Sequence, residues 1–307
     1  MNLDQLPLAG LRVGISGAVP ERQYWGEVRD LDRLILSFVS QLSTLVTKYG
    51  GQVVHGSQPL LTPVIAEATR DKAQGTTAAL TLVASRLWGE PPEVTFRAAR
   101  TAGAAVLLTP KVGEGDAGDP ATRNDSLTAM RIVLAQEIDV LVAVGGKLHA
   151  TTGFNPGVLE ELTQARWHGV PCFIFAALGG FAGKLERQMI EEFSAGNMME
   201  NPVEMAMWSD TIDEYVGQLL LHLAKQRHEL EMEYARGTYM PRHIGVYRAP
   251  SSTTTVDLDL EVAKRLSIQF AKFRKCFEMG DLRGVRLYLR NPSAAREDEF
   301  RPRSRIM

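Results

Sequence analysis

Three glycine-containing turns and one pair of adjacent carboxylates carry the chemical interest of this chain. Ser16-Gly17, Gly56-Ser57 and Gly145-Gly146-Lys147 each follow or close a short apolar run, the setting in which backbone N–H groups approach phosphate oxygens and a following helix N-terminus favours negative charge. Thr152-Gly153 extends the third of these turns. Arg123 and Arg131 precede the double glycine on a helical stretch, where a guanidinium would grip phosphate through two parallel hydrogen bonds and Lys147 would add a point charge. Glu160 and Glu161 are neighbours on a helix and point about 100° apart, so they do not form an acid/base pair and at most one faces a cleft. The hydroxyls of Ser16, Ser57 and Thr62 would donate to phosphate or cap a turn. His55 and His149 would touch a base or shuttle a proton.

Other chemistries find no support in the spacing. Gly14-Ile15-Ser16-Gly17 does not match the dinucleotide fingerprint and there is no Walker A loop, which argues against a conventional NAD dehydrogenase or P-loop ATPase. The histidines have no metal-ligand spacing with one another or with cysteine, and Cys172 lies in a strongly apolar run that suits core packing. No metal and no cofactor is predicted.

The elements that must position these residues alternate between apolar runs and amphipathic stretches. Strands are expected at Leu11–Ile15, Gln52–His55, Ala79–Ala84, Ala104–Leu108, Asp139–Val144 and Pro171–Phe175, several apolar enough to be covered on both faces. Leu31, Leu34, Ile35, Phe38, Leu42, Leu45 and Val46 follow the helical period up to Gly50-Gly51. Thr62-Pro63 reads as an N-cap hydroxyl with proline at the first helical position, and Asn155-Pro156 repeats the device before Gly157–His168. The pattern predicts an α/β fold: a doubly wound, mostly parallel Rossmann-like sheet with a C-terminal helical extension, and a ligand crevice beyond the carboxyl ends of its strands. The loops expected there are Ser16–Pro20, Gly56–Pro59, Gly113–Asn124, Gly145–Lys147 and Ala177–Gly180, of which Gly113–Asn124 and Lys147–Asn155 are the expected moving parts. Helices are expected at Lys184–Ser194, Asp210–Ala235, Asp257–Met279 and Asp281–Arg290.

The 307 residues suffice for roughly two apolar cores, and two cysteines provide neither a disulfide framework nor a multi-cysteine zinc site, which suits a reducing cytoplasm. No apolar run spans a bilayer and the N-terminus has no signal-peptide pattern, so neither secretion nor membrane insertion is expected. The net charge of −2 conceals a split: residues 236–307 hold 15 Lys/Arg against 8 Asp/Glu, while residues 1–235 hold 19 against 28. The boundary divides the chain into an acidic α/β domain with closing helices (1–235), a linker or arm (236–256) and a basic helical region (257–307). Phe270, Phe273 and Phe277 beside the basic residues suit a homo-oligomer or effector-protein contact better than nucleic acid.

The order of the Val13–Gly17 turn, the Gly50–Ser57 turn and the Gly145-Gly146 loop with its downstream acidic helix resembles the SLOG superfamily over roughly Leu11 to Phe181. That Rossmann-like group includes Lonely Guy phosphoribohydrolases, DNA-processing Smf proteins and nucleotide-signal sensors attached to anti-phage effectors. The resemblance implies nucleotide binding, and it aligns Glu161 with the Lonely Guy motif glutamate. Val144 and Val158 stand where that motif has proline and threonine, and Lys147–Pro156 is inserted within it. The same segment is similar to nucleoside deoxyribosyltransferases, which also use a glutamate at the sugar. Two functions follow from the resemblance: binding or sensing of a nucleotide or nucleotide-derived signal, or cleavage of an N-glycosidic bond by Glu161 or Glu160.

Overall fold

A computed structural model describes residues 6–185 apart from 26–28, 71, 73–77, 90–91 and 150–155, together with parts of a helix between 216 and 232 and strands at 203–208, 255–257 and 285–290. Its centre is a parallel sheet formed by β1 (Arg12–Ala18), β2 (Gln52–His55), β3 (Leu80–Ser85), β4 (Ala105–Thr109), β5 (Val140–Gly145) and β6 (Cys172–Phe175). The helices are α1 (Leu31–Lys48), α2 (Thr62–Ala68), α3 (Glu93–Ala102), α4 (Pro120–Gln136) and α5 (Gly157–Trp167). The spatial order β6-β5-β1-β2-β3-β4 reverses direction between β1 and β5, which opens a crevice at their carboxyl ends. The register there is Gly17 beside Val144 and Ala18 beside Gly145.

The apolar runs are continuous because both faces are covered. Val13, Ile15, Val140, Val142, Val144, Phe173 and Phe175 pack with the buried stripe of α1, where Phe38 stacks on Phe175 at 4.4 Å between ring centroids. Val54, Val83, Leu141, Ala143, Cys172 and Ile174 point the other way, into α4 and α5. Val216, Leu219 and Leu223 join the first of these layers, as the apolar stripe of the expected Asp210–Ala235 helix requires. No helix among the described residues is long and apolar enough to cross a membrane.

Several expectations need correction. β1 runs on to Ala18, so Ser16 and Gly17 belong to the strand and not to a turn. The N-cap of α2 is Leu61, not Thr62, and the side-chain oxygen of Gln58 takes the Leu60 and Leu61 N–H groups at 2.8 Å. The loop expected to run to Asn124 stops at Asp119, which caps α4 by accepting from the Thr122 N–H at 3.0 Å. Val285–Arg290, expected to be helical, is a strand, β9, paired with β6 and with β7 (Val203–Trp208), while β8 (Thr255–Asp257) extends the opposite edge beside β4. In β9, Val285, Leu287 and Leu289 alternate with Arg286, Tyr288 and Arg290, a period of two that the basic composition had masked. Residues 180–185 are helical, earlier than the expected start at Lys184. The rest of Lys184–Ser194, the arm 236–254 and residues 258–284 lie outside the described residues.

Candidate functional site

The end of β1, the loops after β2, β3 and β5 and the first turns of α3 and α5 enclose a cavity of about 680 Å³. Its position follows from the strand reversal. Gly17 and Ala18 reach it from β1, His55 to Leu60 from the β2 loop, and Ala84, Ser85 and Trp88 from β3. Leu127, Met130 and Arg131 of α4 and Gly157, Val158 and Glu161 of α5 complete it, with Lys147 and His149.

The two adjacent glutamates have separate fates. Glu160 is fully buried between helices, where its carboxylate accepts from Thr128 Oγ1 at 2.6 Å and from Arg131 Nη1 at 2.5 Å. Glu161 lines the cavity, with one carboxylate oxygen 3.9 Å from Arg131 Nε. Burial raises the Glu161 pKa, opposed chiefly by the charge of Arg131 and then by the Ser16 hydroxyl, and reinforced by Glu160. The buried Ser16 hydroxyl closes no hydrogen bond of full geometry, which leaves it as a weak partner for that carboxylate. Gly56 faces the Glu161 carboxylate on this wall: a Cβ built on the glycine would meet it at 3.5 Å, an ordinary contact.

Arg131 is held as a positioned cation. Glu160 fixes one nitrogen, Nε faces Glu161, and Nη2 would be 3.1 Å from a Cβ built on Gly157 at the start of α5. Arg123 serves a different place: its Nη1 donates to the Ala117 carbonyl at 3.0 Å, which ties down the loop before α4, and it lines no part of the cavity. Lys147 is half-buried on the cavity wall. Thr152 and Gly153 lie outside the described residues.

Gly145 and Gly146 do not line the cavity. Their conformations are left-handed, with φ of +60° and +97°, and the Gly146 N–H is spent on the Ala18 carbonyl at 2.7 Å while its own carbonyl accepts from the Phe181 N–H at 3.0 Å. The double glycine therefore joins the ends of β1 and β5 to the helix beginning at residue 180. Ser57 lines the cavity at φ +57°, a left-handed conformation unusual for a residue with a side chain, and its buried hydroxyl has no partner among the described residues.

His55 is a structural residue of the same loop. Its Nδ1–H donates to the Ile15 carbonyl at 2.9 Å and its Nε2 accepts from the Gln58 N–H at 3.2 Å, so both ring nitrogens are engaged. Burial lowers its pKa from 6.5 to about 4, against the raising effect of these bonds. An unfolded chain takes up a proton below pH 6.5 that the folded imidazole refuses, so this stability is complete above pH 6.5 and is lost as the pH falls toward 4. Urea melts should show a slope approaching about 1.4 kcal/mol per pH unit between pH 6 and 5 from this residue, and about 3 kcal/mol in all. His55→Asn should flatten that slope; a slope that survives the substitution assigns it elsewhere.

The family model described as SLOG cluster2 matches residues 114–234. This segment belongs to the SLOG superfamily. The SLOG match contains α4, β5, α5 and β6, and hence Arg131, Lys147, Glu160 and Glu161, whereas the loops after β1 to β3 precede it. The crystal structure of TM1055, a structural-genomics target, is similar with 15% identity over 58% of this chain and 81% of that chain, at a TM-score of 0.33. No curated protein matches the chain.

The third wall of the cavity, Trp88 with Pro92 to Thr95, is not among the residues expected from the sequence. The rule that places ligands beyond the carboxyl ends of strands applies to the strand at Ala79–Ala84 as much as to the others. Its loop carries no double glycine to mark it, only Gly89 and the prolines Pro91 and Pro92.

Proposed function

We propose that this SLOG-type chain binds a nucleotide or nucleotide-derived molecule in the cavity at the carboxyl edge of its sheet. The observation that carries the reading is the start of α5. Its N-cap, Pro156, supplies no side-chain bond, and Gly157 and Val158 line the cavity beside Lys147 and Arg131. The N–H groups of a first helical turn, which the helix itself leaves without an acceptor, and two nearby cations suit a phosphate. Glu161, on the same helix and facing the same space, is placed to hydrogen-bond a ribose hydroxyl. Occupancy would be passed to the basic residues 257–307 and through them to a second copy or an effector protein.

Thermal unfolding with nucleoside mono- and triphosphates, cyclic nucleotides and NAD tests the proposal. A ligand at a hundredfold its Kd should add about 2.7 kcal/mol of stability. Lys147→Ala should weaken that ligand about tenfold, the equivalent of about 1.4 kcal/mol. No stabilisation by any of these compounds would sink the binding reading.

A second reading, N-glycosidic cleavage, is favoured by the raised pKa of Glu161 on the cavity wall. In that reaction water adds to the anomeric carbon as the bond to the base breaks; ionised Glu161 accepts the water proton, which leaves finally on the base. Free base released by the wild type and absent with Glu161→Gln supports it. Tight binding without base release removes it.

A further inference from the structure

We infer that the loop after β3 and the first turn of α3 form a separate subsite for the planar, uncharged head of the ligand, an inference that rests on the nucleotide-binding reading above. Helix α3 begins at Pro92 without a side-chain cap, and its first bond is from the Phe96 N–H to the Pro92 carbonyl at 2.9 Å. The N–H groups of Glu93, Val94 and Thr95 precede that bond and have no acceptor within the helix. Pro92, Glu93, Val94 and Thr95 all line the cavity. The N-termini of α2 and α4 differ, because Gln58 and Asp119 fill them.

An independent observation points the same way. Thr95 is 1% exposed and its hydroxyl has no partner among the described residues. Thr47, Thr69 and Thr163 spend theirs on the carbonyl four residues earlier. A buried hydroxyl beside three N–H groups that their own helix leaves without an acceptor is a donor set suited to an acceptor edge, such as a ring nitrogen or an exocyclic carbonyl.

Apolar side chains line the same cavity. Trp88, on a short turn held by Ser85 Oγ accepting from the Leu87 N–H at 3.2 Å, lines it and stays 46% exposed; Leu60, also on the cavity wall, is 57% exposed. A half-exposed indole on a cavity wall provides a stacking surface for a heteroaromatic ring. Charge sets the ligand's direction. Lys147 and Arg131 line the cavity together with the start of α5, while the Glu93 carboxylate at the start of α3 is paired with Arg97 at 3.1 Å, so the anionic tail goes to α5 and a neutral base to α3. Strand order places the ends of β5 and β3 three strands apart, about 14 Å at the usual strand spacing, so the ligand lies along the sheet edge.

The test is calorimetry on the full chain with ribose 5-phosphate and with AMP, GMP, CMP and UMP. Trp88→Ala should weaken the best-bound nucleoside monophosphate between about tenfold and a hundredfold. Thr95→Val, of equal shape, should weaken it about tenfold. Both should leave ribose 5-phosphate within twofold, whereas Lys147→Ala weakens both probes. If Trp88→Ala and Thr95→Val leave the nucleotide unaffected, or reduce both probes equally, the subsite is wrong and the phosphate site stands. If wild-type protein binds neither probe, the nucleotide-binding reading itself fails. Because Trp88 is half-exposed, its removal does not empty a core, and circular dichroism checks that the fold is kept.

Discussion

Glu160→Ala should cost about 3–5 kcal/mol of folding stability, whereas Glu161→Gln, one residue away, should cost less than about 1 kcal/mol. The carboxylate of Glu160 takes two short hydrogen bonds, from Thr128 and Arg131, and its side chain is wholly inaccessible. Its removal strands the Arg131 guanidinium at 8% exposure, with the Glu161 carboxylate 3.9 Å away. Breaking a buried pair by deleting one member costs more than the pair contributes, because the surviving charge stays desolvated. Glu161 is the opposite case. Its raised pKa means that the fold disfavours its ionised form, so an uncharged amide relieves a burial cost at neutral pH. Urea denaturation of the two variants at pH 7 decides the matter. Equal losses would contradict the division of labour between a structural glutamate and a cavity glutamate.

Gly180→Ala is expected to cost about 3 kcal/mol or more. At Gly180 φ is +64°, and a Cβ would stand 2.6 Å from the Gly146 carbonyl oxygen and 2.7 Å from the Gly145 carbonyl carbon. These neighbours are backbone, held in turn by the Gly146 N–H bond to Ala18, so they have little room to move. Gly103→Ala provides the control. That residue has a similar φ of +62° at the end of α3 but open space around its Cβ position, so it carries only the left-handed cost of about 1–2 kcal/mol. Thermal or urea unfolding of both variants separates steric contact from backbone conformation. A Gly180→Ala variant as mild as Gly103→Ala would show that the junction of β1, β5 and the helix at 180 can yield.

The location of that junction also explains why the double glycine was legible but misleading. Gly145-Gly146 resembles a phosphate loop because such loops and tight backbone junctions need the same thing, a residue without Cβ at a left-handed φ. Which of the two is built depends on whether the freed N–H points at a ligand or at another strand, and here Ala18 takes it. Arg123 and Arg131 pose the same ambiguity. Both lie on α4, eight positions apart, yet one reaches back to a loop carbonyl and the other faces α5.

By itself the sequence determined the layered α/β core. Several of its six strands are apolar at successive positions and so are buried on both faces, and the helical stripe of α1 must cover one of them. It also put the expected crevice at the carboxyl edge, where the cavity lies, and separated Glu160 from Glu161 by the helical turn per residue. Tertiary structure alone decided which glutamate faces the cavity, which arginine is its neighbour, and that the loop after β3 supplies the third wall. It also decided that Val285–Arg290 joins the sheet beside β6. Local periodicity reports which face of an element is apolar. The identity of the partner across that face depends on contacts between residues far apart in the chain, such as Arg131 with Glu160 and Gly146 with Ala18, and no local pattern encodes them.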